Sequence, residues 1–139
     1  MSRPAAMIVR DASRGTVVAA RVVDASSFWQ RFMGLMGRAS LDDGEGLFLP
    51  ESSIHMFFMR FPIDALFVGP ADVHGDRRVV AMRHDLPPWR GMVLPVRGAA
   101  GVVELAAGTL ADSGLRVGDV VRFVPRPADI GVVTEAARG

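Results

Sequence analysis

Cysteine is absent from the 139 residues, which excludes disulfides, thiolate catalysis and cysteine-ligated metals. Lysine is absent too, and all 16 basic residues are arginine. Schiff-base chemistry and an amine general base are therefore impossible. No apolar stretch reaches the length that spans a bilayer. The start, MSRPAAMIVRDASRG, carries a charge within its apolar run and has no signal-peptide h-region. These two absences predict a soluble, cytoplasmic protein without a membrane partner. No run of arginines with interleaved aromatics occurs, so no nucleic-acid partner is expected. The 16 basic residues face 15 acidic ones, and the sequence pI near 9.0 does not indicate a basic face. Internal repeats, low-complexity tracts and linkers are also missing.

What is there is a core. Half of the residues are hydrophobic, and a chain this long buries roughly two-thirds of the surface that its unfolded form exposes. One domain over residues 1–139 is expected, with a peripheral tail over 125–139. MIVR and GTVVAARVV read as two strands around a turn at Ala12–Gly15. SSFWQRFMGLMGR reads as a helix, capped by Ser26 or Ser27 and ended by Gly37. Its Phe28, Phe32, Leu35 and Met36 form one apolar stripe. GLFLP, Arg77–Arg83, GVVELAAG and VGDVVRFVP supply further strands, and Thr109 is placed to cap a single helical turn through Leu115. HDLPPWRGMVLPVRG, with three prolines and two glycines, reads as a rigid irregular crossing. Many short strands and one packed helix predict a mainly β domain, a sandwich or barrel.

One stretch resists a plain core reading. SSIHMFFMRFPIDALFV, residues 52–68, is the most apolar part of the chain and still holds His55, Arg60 and Asp64. Alternation places apolar residues on both faces, so this strand is covered on both sides. Pro62 interrupts it. Beyond Pro62, Asp64 shares a face with Leu66 and Val68, and a carboxylate there needs a partner. An arginine, or the backbone amides that Pro62 leaves without ladder partners, would supply one.

RFMGLMGR, GEGLFL, SIHMFFMRFPIDALFV and VVELAAGT followed by GLRVGD together resemble the domain of unknown function 192 family. The resemblance covers about residues 15 to 124, with four motifs in the family's order. IHMFFMRFPID is the most specific, although Met56 stands where the family usually has a small polar residue. The resemblance implies a compact β-sandwich with one packed helix and no established reaction.

The candidate site residues are His55, Arg60, Asp64, Arg31, Trp89 and Glu104, with His84 at the margin. Each has a structural reading beside a functional one. Asp64 reads as a satisfied buried carboxylate or as part of a pocket floor. His55 is a core-edge imidazole or a general base oriented by Asp64. Arg31 is a snorkelling helix residue or a pocket group, and Trp89 covers the sandwich end or rims a site. Glu104, between Val103 and Leu105, is expected to face solvent. No G-x-S-x-G elbow surrounds Ser52 or Ser53. The three histidines (55, 74 and 84) lack metal-ligand spacing, so neither metal nor cofactor is expected. Three functions stay open: a non-enzymatic module for a small molecule or peptide, an acid–base hydrolase using His55 and Asp64, and an interaction domain without a pocket. Apolar aromatics with few polar groups favour the first.

Overall fold

A computed structural model describes residues 6–24, 41–56 and 60–127. In chain order the elements are β1 (Ala6–Asp11), β2 (Val17–Asp24), β3 (Glu45–Leu49), β4 (Ile54–His55), β5 (Ile63–Val68), β6 (Asp76–Leu86), β7 (Met92–Val93), β8 (Gly101–Ala106), α1 (Thr109–Ser113) and β9 (Val120–Pro125). Seven strands close into a barrel in the order β1-β2-β3-β8-β5-β6-β9, and β4 and β7 form a separate two-stranded ribbon. The neighbours pair antiparallel except β2 and β3, which run parallel. The architecture is thus the barrel form of the expected mainly β fold. The expected helix with the stripe Phe28, Phe32, Leu35 and Met36, and with it Arg31, falls outside the described residues.

The period of two in the strands sorts the apolar residues into two cores. Val9, Val18, Phe48, Leu66, Val79, Val103 and Val121, one from each barrel strand, meet in the barrel interior. A second core lies on the outer face of β3, β8, β5 and β6. It joins Leu47, Ala65, Phe67, Ala81 and Val102 to Ile54, Met56 and Val93 from the ribbon and its border. β5 serves both: Ile63, Ala65 and Phe67 face outward, Asp64, Leu66 and Val68 inward, and all six are buried. A strand buried on both faces carries a near-continuous apolar run, which is why IDALFV holds one polar residue only. The strand of the 52–68 stretch breaks as Pro62 predicts. β4 ends at His55, and β5 starts at Ile63, directly after the exposed proline.

The barrel ends are closed differently. At one end α1 inserts Leu110, 1% exposed, into the interior core. At the other, the guanidinium of Arg77 stacks on Phe48 and Phe123, 4.9 and 5.4 Å from the ring centroids, and donates to the Gly69 carbonyl at 2.9 Å. The two rings meet edge to face at 5.6 Å.

Candidate functional site

Asp64 is fully buried. Its Oδ1 accepts the Asp85 amide at 2.8 Å, and its Oδ2 accepts the amides of Gly108 at 3.0 Å and Leu110 at 2.9 Å. The expected anchoring by backbone amides is present, but the donors are not the amides beside Pro62. They come from the end of β6 and from the start of α1, where regular pairing has stopped and orphan N–H groups accumulate. The expectation that Thr109 caps the helical turn is corrected in the same way. Gly108 occupies the N-cap with φ 95°, and no side chain of the helix's own segment caps it. Asp64 reaches over from β5 and takes that role.

The other polar residues of the stretch are elsewhere. Arg60 is exposed. His55 lies on β4 with Met92 as its cross-strand partner, between Ile54 and Met56 of the outer core. The hydrogen bonds that Asp64 accepts among the described residues come from backbone amides.

The Pro-rich crossing is fixed to the 52–56 segment. Met56 donates to the Gly91 carbonyl, Trp89 to the Met56 carbonyl and Val96 to the Ser52 carbonyl, each at 2.8 Å. A tight turn closed by Gly91 N–H on the Pro87 carbonyl, 2.9 Å, sets Trp89 at φ 67°, a conformation that bulky residues rarely adopt. Gly91 is required by close approach: a Cβ there would stand 2.7 Å from Met56 Cγ and 2.9 Å from the Pro87 carbonyl oxygen. Trp89 is 54% exposed at the rim of this crossing.

Glu104 overturns the expectation of a solvent-facing residue. It is partly buried, between Leu47 and Ala65 on the adjoining strands, with Val102 two residues before it on the same face. Burial among these apolar groups, with a smaller contribution from the like charge of Glu51, pushes its carboxyl from 4.5 up to about 7. A carboxyl so placed is half protonated near neutrality, and can donate as well as accept a hydrogen bond. The sequence signal was incomplete. ELA alternation alone cannot tell that both sides of β8 are covered; that depends on the register with β3 and β5.

Elsewhere on the barrel, an open cleft of about 250 Å³ is lined by Val17, Val18, Asp43, Gly44, Thr109, Asp112 and Ser113. Among the described residues no three His, Asp or Glu side chains converge as a metal site, and no helix is long and apolar enough to cross a membrane.

The comparisons with known proteins agree with this picture. The family model DUF192, described as an uncharacterized ACR, matches residues 8–123. A UPF0127 protein of Thermococcus sibiricus is 32% identical over 114 residues, covering 78% of this chain and 70% of that protein. A UPF0127 protein of Thermococcus kodakarensis is 28% identical over 124 residues, covering 86% and 74%. Among solved structures, a protein of unknown function from Novosphingobium aromaticivorans superposes with a TM-score of 0.60 at 26% identity, covering 84% of this chain and 83% of that one. A protein from Sinorhizobium meliloti, described only as a candidate transcription regulator, gives 0.64 at 23% identity over 88% and 98%; at that identity the likeness concerns the fold.

Proposed function

The chain belongs to the DUF192 family, and on that premise we propose that it is a non-enzymatic, cytoplasmic binding module that takes a small molecule or a peptide against the outer face of its barrel. Glu104 carries the reading. It is partly buried beside Leu47, Ala65 and Val102, and burial pushes its carboxyl up to about 7. A perturbed polar group among apolar side chains supports a binding role, in which apolar contacts supply affinity and one polar group fixes orientation. The hydrolase alternative has less support. Asp64 already accepts three backbone amides, which supports a structural role for it over that of orienting a general base.

The reading is tested by nitrogen-15 NMR of the full chain titrated with benzamide and with benzylamine, probes that pair an apolar ring with a neutral or a cationic hydrogen-bonding group. Shifts confined to the residues around Glu104 on β3, β5 and β8, and abolished in Glu104→Ala, support it. A spectrum unmoved by either probe at millimolar concentration refutes it.

A further inference from the structure

We infer that the outward face of residues 89–97 docks a short acidic and apolar peptide segment of another protein, separately from the Glu104 face. Arg90, Met92 and Leu94 are exposed and alternate with the buried Gly91 and Val93. Met92 and Leu94, on either side of the buried Val93 at β7, share the outward side, and Arg90 precedes them in the turn. Met92 is 56% exposed, Leu94 73% and Trp89, at the turn before them, 54%. These are three of the six large apolar side chains that stand exposed among the described residues, and six residues of chain contain them. Single exposed apolar residues need no explanation, but a cluster does. The cluster is also rigid, because its backbone is hydrogen-bonded to Ser52 and Met56. A preorganised row loses little entropy when a partner binds.

Charge decides the occupant. Residues 89–97, WRGMVLPVR, contain two arginines and no acid. Ion pairs join Arg14 to Asp11 and Arg122 to Asp76, and none among the described residues joins Arg90 or Arg97 to a carboxylate. A second copy of the chain would bring four such arginines into one interface, with no carboxylate from the segment to meet them. Two arginines and three apolar side chains supply too little for stable membrane anchoring, which takes two independent signals. A peptide with carboxylates beside apolar side chains meets both needs. Arginine binds carboxylate through two parallel hydrogen bonds, and Trp and Arg are the side chains on which protein interfaces most often depend.

The test is fluorescence anisotropy on the full chain with two labelled heptapeptides, Glu-Thr-Leu-Thr-Phe-Thr-Glu and its twin with lysine for both glutamates. The acidic peptide binds the parent, more weakly as salt is raised. Affinity falls roughly tenfold in the Met92→Ser, Leu94→Ser double variant, and Arg90→Glu transfers the preference to the lysine twin. The substituted side chains are exposed, so the fold is retained. Equal binding of the two peptides, or none at millimolar concentration, overturns the inference. So does either rival occupant: phosphatidylglycerol vesicles captured without peptide binding, or a dimer in sedimentation that the double variant loses. Glu104→Ala leaves the peptide affinity unchanged, which keeps the fate of this inference apart from that of the Glu104 face.

Discussion

The carboxylate of Asp64 accepts the backbone amide of Leu110 at 2.9 Å, across 46 residues of sequence. Through the same group β5 also holds Gly108, at the entrance of α1, and Asp85, which adopts φ 54° near the end of β6. One side chain thus joins three segments at one end of the barrel. It seats the helix whose Leu110 closes the interior core. A five-residue helix has almost no stability of its own, so the anchor is expected to matter more here than a cap on a long helix.

Asp64→Ala leaves three amides without their acceptor, that of Leu110 buried and those of Asp85 and Gly108 part-buried, and a buried orphan donor costs about 1–3 kcal/mol. Asp64→Asn keeps one oxygen but turns an amide donor toward amide donors. Both variants are expected to lose about 3–5 kcal/mol, the range of a broken buried network. Urea denaturation measures this directly. Midpoints equal to the parent's would show that the turn at Gly108 holds α1 unaided.

Gly91→Ala is a test of the ribbon. The added methyl meets Met56 Cγ at 2.7 Å and the Pro87 carbonyl oxygen at 2.9 Å. Met56 can move; the turn carbonyl cannot move without opening the Trp89 turn. Overpacking of this kind costs about 1–3 kcal/mol. The expected readout is a lower melting temperature, together with faster hydrogen exchange at the Met56 and Trp89 amides, which the turn now protects. Exchange rates like the parent's would mean that the crossing absorbs the methyl elsewhere.

How much of this was legible in the sequence follows from the range of each interaction. The break at Pro62 and the hairpin between β1 and β2 were readable because they depend on a few adjacent residues. The need of Asp64 for partners was readable too, since its strand neighbours Leu66 and Val68 demand an inward face. The identity of those partners was not: Asp85, Gly108 and Leu110 lie 21, 44 and 46 residues away. Glu104 failed for a related reason. Its environment is set by Leu47 and Ala65 through strand register, and register is a property of the assembled barrel. Closure itself, with a parallel β2–β3 pair beside antiparallel neighbours, left no local mark.

Arg77 provides a test of the other barrel end. Its guanidinium lies between two aromatic rings with a carbonyl acceptor, and burial lowers its pKa from the ordinary value. Arg77→Met keeps the aliphatic packing and removes the charge and the hydrogen bond. A loss of about 1–2 kcal/mol is expected. Arg77→Lys keeps the charge without the planar stacking, and falls between the two. Chemical denaturation ranks the three proteins; a methionine variant as stable as the parent would assign the site to packing alone.

The pH dependence of stability tests the environment of Glu104. Burial raises its carboxyl from 4.5 to about 7 in the folded chain. Between these values the folded state holds a proton that the unfolded state has released. Stability therefore falls as pH rises through this window, and the loss is complete above pH 7. A tenfold difference in proton affinity between the two states corresponds to about 1.4 kcal/mol, but Glu104 keeps some contact with solvent, so the expected loss is about 1–3 kcal/mol. Glu104→Gln has the shape of the protonated form and no proton to lose. The parent and the variant should have similar stability near pH 4.5. By about pH 8 the variant should be the more stable of the two, by about that same 1–3 kcal/mol. The difference between the two proteins isolates this group, because every other titrating residue is common to both. Urea midpoints at half-unit steps from about pH 4.5 to 8 trace the curve. If the difference stays constant over the range, Glu104 titrates as an ordinary exposed glutamate, and the apolar wall of Leu47, Ala65 and Val102 does not desolvate it.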